Sequence, residues 1–378
     1  MQENEDIKEN NFQLKIFQEI KKANAGKNIM VSPISIYHIL SLTANGAANK
    51  TLTEMLQALC EKDLNALNKK NSIISNEFDK LKTIEFANAV FTRFNPLNEF
   101  QNMIKEYKAK LDILKDANQI NQWCSEATHE KIPKIVNDIN PNTKMMLINA
   151  IYFKGKWQEQ FDQKITYLDT FYDSNNKISK IMFMHATKKY DYFENKGMQA
   201  ISLNYKKDNL SALIILPKKG KNINDYIEYL TLDKYDNIIS GLTNQKVNLS
   251  LPKFEFDFST ELTQNFKTLG MHDAFNAGVA DFSVMKKEKD IYISNIIHKT
   301  YIKVDEEGTE AVAVTAVEGF FGSCFDDIKV MKVDHPFLFI IRSKDLPPGN
   351  DMIFIAKVES LKELLNSYCY KIKNNRLR

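Results

Sequence analysis

Cysteine and histidine are the first residues to test for chemistry. Cys124 and His129 stand five positions apart in a segment with helical patterning. A cysteine nucleophile needs an imidazole within hydrogen-bond reach. Helix faces are shared at spacings of three or four, so this pair reads as two unrelated residues. The histidines His38, His129, His185, His272, His298 and His335 include no H-x-x-x-H spacing, and Cys60, Cys124, Cys324 and Cys369 include no C-x-x-C. No metal site is expected. No phosphate-cradling glycine loop is present either, so no cofactor is expected and the chain reads as a non-enzyme.

A different kind of chemistry is written into Lys303 to Phe339. Ala311 to Val317 are small or β-branched, and the β-branched ones suit a pleated sheet. Gly308 precedes them as a pivot. Phe320, Phe321, Gly322, Ser323, Cys324 and Phe325 then form an irregular apolar tip, closed by Asp326 and Asp327. The plain reading is a buried strand. The order of residues also suits a loop that could later become a strand. Cys324 at the tip reads as a small neutral residue, since thiol oxidation needs an activating neighbour.

The chain has 378 residues, 43% hydrophobic and 26% charged. That is a globular composition, long enough for a sizeable core without disulfides or metals. Its 51 basic and 48 acidic residues leave a net charge of +3, too balanced to imply nucleic acid as the main partner. No run of about 18 apolar residues predicts a membrane span. The acidic start, Met1 to Asp6, predicts no standard secretory signal. Free thiols and a cytoplasmic location follow, with leaderless release left open. The sequons at Asn49, Asn209 and Asn248 matter only if the chain is exported.

Elements that would position such a loop are legible. Phe12, Ile16, Phe17 and Ile20 share one face of an opening helix. Ser35 to Leu42 predicts a buried helix after Ser32-Pro33, Met55 to Leu59 belongs to a third, and Lys62 to Lys82 predicts helix with loop. Asn121 to Val136 carries a helical pattern interrupted at Pro133. Met145 to Phe153 is a near-continuous apolar run, as in a strand covered on both faces. Ala212 to Leu216 predicts a short strand. Val247, Leu249, Leu251, Phe254, Phe256 and Phe258 alternate, with Pro252 marking a bulge or edge. Phe337 to Ile341 and Ile353 to Val358 predict a late pair. The class is α+β, with helices against large, mostly antiparallel sheets.

These blocks, in this order, resemble the serpin family from about Phe12 to Val358. The carriers are Asn28 to Ile36, Asn45-Gly46-Ala47, Ile84 to Phe91, Ile120 to Trp123, Asn149 to Trp157, Leu251 to Phe254 and Asp334 to Phe339. The resemblance is to the inhibitory, ovalbumin-like branch that lacks a signal peptide. It implies a single domain over 1–378, three β-sheets, eight to nine helices and an exposed reactive-centre loop over about 308–327. The family acts as a suicide substrate, and its metastable fold stores the drive. A serine protease attacks the loop, forms a covalent acyl-enzyme, and is dragged and distorted as the loop inserts into the main sheet. A monomer that could polymerise through loop and sheet is implied, with no nucleic acid and no membrane partner.

The resemblance also assigns residues. The hinge is Glu306, Glu307, Gly308, Thr309, Glu310, Ala311, Val312, Ala313, Val314 and Thr315. Ser32, Ser35, Asn149 and His298 form a gate where central strands part; taken alone, His298 is equally a hydrogen-bonded core histidine. Trp157, Lys253 and Glu306 mark the entry point. Thr309, Ala311, Ala313, Thr315 and Val317 would face inward, and none is charged. Glu310, Glu318, Val312 and Val314 would face outward. About fifteen residues at about 3.3 Å each would carry a protease on the order of 50 Å. A dozen new ladder bonds at about 0.5–1.5 kcal/mol each would release on the order of 10 kcal/mol.

Family spacing from Gly308 places the cleaved bond at Gly322-Ser323; Phe321-Gly322 and Phe325-Asp326 stay open. No Arg or Lys lies from Glu310 to Ile328. The expected target is therefore chymotrypsin-like or elastase-like, of the cathepsin G or chymase type. The alternatives are a non-inhibitory serpin (carrier, chaperone or adhesion protein) and a cross-class inhibitor of cysteine proteases. The basic tail over about 361–378, and Lys69-Lys70, are too slight to assign a polyanion.

Overall fold

The computed structural model describes residues 11–309, 328–347 and 349–362. The helices are α1 (Phe12–Lys22), α2 (Pro33–Ala44), α3 (Asn49–Ala58), α4 (Leu64–Phe78), α5 (Asn98–Glu106), α6 (Ala117–Ala127), α7 (Ile223–Glu228), α8 (Leu232–Gly241) and α9 (Thr263–Thr268). The strands begin with β1 (Ile29–Val31), β2 (Ile84–Thr92), β3 (Lys110–Ile113), β4 (Met145–Phe153), β5 (Gly155–Lys156), β6 (Tyr167–Tyr172), β7 (Ile178–Glu194) and β8 (Met198–Asn204). They continue with β9 (Leu210–Pro217), β10 (Thr243–Pro252), β11 (Phe254–Glu261), β12 (Ile293–Val304), β13 (Gly308–Thr309), β14 (Lys329–Lys332), β15 (Phe337–Ser343) and β16 (Met352–Val358).

Three sheets result. A five-stranded sheet runs β11-β12-β4-β2-β3, and β13 pairs with β5 alone. A nine-stranded sheet runs β1-β16-β15-β9-β8-β7-β10-β14, with β6 against β7. Most pairs are antiparallel, but β12–β4, β2–β3 and β10–β14 are parallel. The α+β class is as expected, with nine α-helices among the described residues.

Local sequence explains the elements that matter for function. The Ser32 hydroxyl caps α2 by accepting from the Ser35 N–H, and Pro33 occupies the first turn, where its missing N–H is no loss. Every residue of α2 is buried, because it has no polar face to turn outward. It lies beneath the five-stranded sheet. Every residue of β4 is buried too. Leu147 and Ile151 look into the main core shared with α2. Met146, Ile148 and Ala150 look the other way, toward Ile120, Trp123 and Cys124 of α6. Two covered faces account for the unbroken apolar run.

Two expectations need correction. The helical pattern over Asn121 to Val136 stops at Ala127, well before Pro133. The Thr128 hydroxyl donates back to the Cys124 carbonyl at 2.7 Å, and His129 and Glu130 adopt φ of 50° and 63°. Ile132 and Val136 still reach the sheet, but from irregular backbone. The run from Val247 to Phe258 is two strands in two different sheets. Pro252 ends β10, and Lys253 is the crossing residue.

A buried charge cluster braces the turn between β15 and β16. Asp351 is fully buried. It accepts from Arg342 Nε at 2.8 Å, from the Tyr235 hydroxyl at 2.7 Å and from the Gly349 N–H at 3.1 Å. Burial pushes its carboxyl up, and Arg342 opposes that shift. Arg342→Met should strand this carboxylate and cost about 3–5 kcal/mol. Urea unfolding would read the loss, and adding Asp351→Leu should recover most of it.

Candidate functional site

The parallel seam between β4 and β12 is the centre of the site. It is paired from Ile293 opposite Met145 to Tyr301 opposite Tyr152, with one irregularity between Ile293 and Asn295. No strand lies between the two. In this arrangement each strand's inner backbone groups are satisfied only by the other.

One row of polar side chains crosses beneath the seam. Asn88 of β2, Asn149 of β4 and His298 of β12 stand side by side in register. Asn149 Nδ2 donates to Ser35 Oγ and to Asn88 Oδ1, and Asn149 Oδ1 accepts from His298 Nδ1. His298 Nε2 accepts from the Ser32 N–H at 3.1 Å. His298 is therefore neutral with its proton on Nδ1. Burial pushes its pKa down to about 3. Separating β12 from β4 at this row would leave buried donors and acceptors unmatched, at about 1–3 kcal/mol each.

At one end of the seam lies a mouth. After β12 the chain turns through Asp305, Glu306 and Glu307, all buried. Gly308 and Thr309 then pair with Lys156 and Gly155. Trp157 seals the turn. Its indole Nε1–H donates to the Asp305 carbonyl and its backbone N–H to the Glu307 carbonyl, both at 2.9 Å. Its ring stacks on Tyr205 at 4.6 Å, and the Tyr205 hydroxyl meets Thr309 Oγ1 at 3.0 Å. Lys253 Nζ contacts Glu306 Oε2 at 2.7 Å, with side chains 20% and 7% exposed. Removing one partner of a pair this sheltered costs more than at an open surface pair, because the other charge is left buried. Gly308 has φ +153° and lies so close to Gly155 that a Cβ would fall 2.1 Å from its carbonyl oxygen.

The sequence-derived residues thus fall into two places. Ser32, Ser35, Asn149 and His298 meet beneath the seam, whereas Trp157, Lys253, Glu306, Glu307, Gly308 and Thr309 meet at the mouth. Glu310 to Thr315 of the expected hinge, and Phe321, Gly322, Ser323, Phe325 and Asp326, lie outside the described residues. Two contributors were not picked out from sequence. Asn88 sits inside an apolar strand, and its alignment with Asn149 appears only once β2 and β4 are in register. Tyr205 follows β8 far along the chain and carries no motif. Cys124 is buried on α6 while His129 is exposed beyond its end, so they form no catalytic pair.

Removing the Lys253 ammonium should loosen the mouth. Lys253→Ala should lower stability by about 1–3 kcal/mol and speed solvent exchange of the Trp157 indole proton, followed by NMR. Gly308→Ala should do the same through backbone collision. Unchanged indole exchange in both variants would count against a closed mouth held by these contacts.

Known proteins share this arrangement. A family model described as Serpin (serine protease inhibitor) matches residues 8–361. Serpin B8 of Homo sapiens is 33% identical over 349 residues, 88% of this chain and 93% of that one. The leukocyte elastase inhibitor of Xenopus laevis is 33% identical over 353 residues, 86% and 92% of the two chains. The crystal structure of the thermophilic serpin tengpin in its native state superposes with a TM-score of 0.84 at 31% identity, covering 93% of this chain and 92% of that one. Its three sheets, the parallel seam and the family match together make this chain a member of the serpin family.

Proposed function

We propose that this protein is a suicide-substrate inhibitor of chymotrypsin-like or elastase-like serine proteases. The observation that carries the reading is the β4–β12 seam. Two parallel neighbours joined directly define one slot, which accepts a strand antiparallel to both. The chain leaves β12 at the mouth of that slot and turns back there through Gly308 and Thr309. By alternation Ala311, Ala313, Thr315 and Val317 would face inward on an inserted strand, and all four are uncharged and small enough to pack.

In this mechanism a protease serine attacks a carbonyl near the loop tip and the chain downstream leaves as an amine. The remaining segment enters the slot before water reaches the acyl bond. Distorting even one oxyanion donor in the protease costs about 10²–10³ in rate, so deacylation stalls. The names of two relatives, Serpin B8 and leukocyte elastase inhibitor, agree with inhibition. The absence of Arg and Lys from Glu310 to Ile328 argues for an apolar primary pocket in the target. The unit that acts is one domain and one monomer.

Incubation with chymotrypsin should give a complex that survives detergent, while trypsin should give none. Mass spectrometry of the released fragment should place the cut at Phe321-Gly322, Gly322-Ser323 or Phe325-Asp326. Cutting the loop with a non-target protease should raise the melting temperature, because a new ladder of about a dozen bonds forms. A cleaved protein that melts where the intact one does would sink the reading.

A further inference from the structure

The polar row beneath the seam does not end at Asn88. Asn88 Nδ2 approaches His38 Nδ1 at 3.4 Å, and His38 Nε2 lies 3.2 Å from Ser75 Oγ. His38 belongs to α2 and Ser75 to α4. An amide nitrogen can only donate, so His38 Nδ1 must accept and its proton must sit on Nε2. Every link then points one way. The Ser32 N–H donates to His298, His298 Nδ1 to Asn149, Asn149 to Asn88, Asn88 to His38, and His38 Nε2 to Ser75. The chain crosses from the start of α2 through β12, β4 and β2 and out to α4. Both imidazoles must be neutral, and in opposite tautomers.

Such a chain cannot be broken at one place only. A proton on His38 Nδ1 would face the Asn88 amide donor. Turning the Asn88 amide would relieve that clash, but its nitrogen would then face the Asn149 donor. The conflict is passed along to the β4–β12 row. Linked polar groups in a dry interior behave as a unit for this reason.

We propose that His38 is a positioning residue whose neutral, Nε2-protonated ring couples the packing of α4 to closure of the β4–β12 seam, so that proton uptake there loosens the seam. The surroundings suit this role. Ser75 and Phe78 of α4, Tyr107 beyond α5 and Asn88 of β2 pack around the ring. The Tyr107 hydroxyl is itself tied to Asn45 and Asn68, and burial pushes its pKa up. Burial alone pushes His38 down, to about 4. Ser75 is half-buried at the outer end of the chain, so His38 is the histidine nearer to solvent.

The sign follows from linkage. An imidazole freed by opening has its usual pKa of about 6.5 and binds protons more readily than the closed form. Closure is therefore fully favoured above that value and weakens as pH falls through the window from about 6.5 to about 4. Across that window one such histidine shifts the closed-to-open ratio on the order of 100-fold.

The test needs no protease, so it can fail or succeed apart from the inhibitory reading. Imidazole nitrogen NMR on histidine-labelled protein at neutral pH should show His38 protonated on Nε2 and His298 on Nδ1. Hydrogen exchange at β4 and β12 amides, corrected for intrinsic rates, should lose protection between pH 6.5 and 4. His38→Gln keeps an acceptor and a donor but cannot titrate. It should match the wild type at neutral pH and recover on the order of 100-fold of the acid loss. Ser75→Ala should raise exchange at β4 and β12, not only along α4. The reverse His38 tautomer, an acid loss unchanged by His38→Gln, or a Ser75→Ala effect confined to α4 would each overturn the proposal. Should His38→Gln fold poorly, the wild-type tautomers and the Ser75→Ala exchange map decide the matter.

Discussion

Two parallel strands that bond directly to each other, with nothing between them, are the constraint on which this fold depends. Parallel pairing is slightly weaker per residue than antiparallel pairing. Here it sits at the middle of a sheet covered on both faces. The core under α2 holds one side of β4, and α6 holds the other. If the strands part, their inner backbone groups lose their partners, and an entering strand would satisfy them as the old bonds break. A closed seam of this kind is protected by a barrier, whatever the free energy of the filled state.

That barrier is built from two different materials. At the mouth it is local: a tryptophan under a turn, a sheltered ion pair and a glycine pressed against backbone. Beneath the seam it is collective, since Asn149 spends both amide protons and its carbonyl on three different elements. The mouth contacts lie at the end of the seam, and the polar row yields as a unit together with the strands it joins.

Sequence conveyed these features unevenly, for physical reasons. The run from Met145 to Phe153 announces a doubly covered strand because burial on both faces leaves no polar alternation. β12, its seam partner, passed unnoticed: Ile293 to Val304 mixes Lys299, Lys303, Asn295 and His298 with apolar residues, and its polar face is only partly buried. β7, the longest strand, was missed similarly, because its ends serve different neighbours, β6 at one and β8 at the other. Lys253 and Glu306 were legible only through family resemblance. Nothing in composition joins residues that far apart, and their shelter depends on the turn that Trp157 caps. His38 carried no signal, since a single histidine in an apolar helix is indistinguishable from a core residue until Asn88 and Ser75 are seen on either side.

The same helix meets the polar chain at two points, Ser32 at its cap and His38 within it, and this explains why α2 has to be wholly buried. Its N-cap residue, Ser32, presents a backbone N–H to His298, and roughly one and a half turns later the helix presents His38 to Asn88. A helix with a solvated face could rotate or shift to accommodate a new partner. One packed on every side cannot, because dense interiors transmit displacement instead of absorbing it. α2 therefore acts as a fixed ruler against which three strands are held in register. Movement must come from the strands sliding over it, and the side chains that touch the ruler decide how readily they slide.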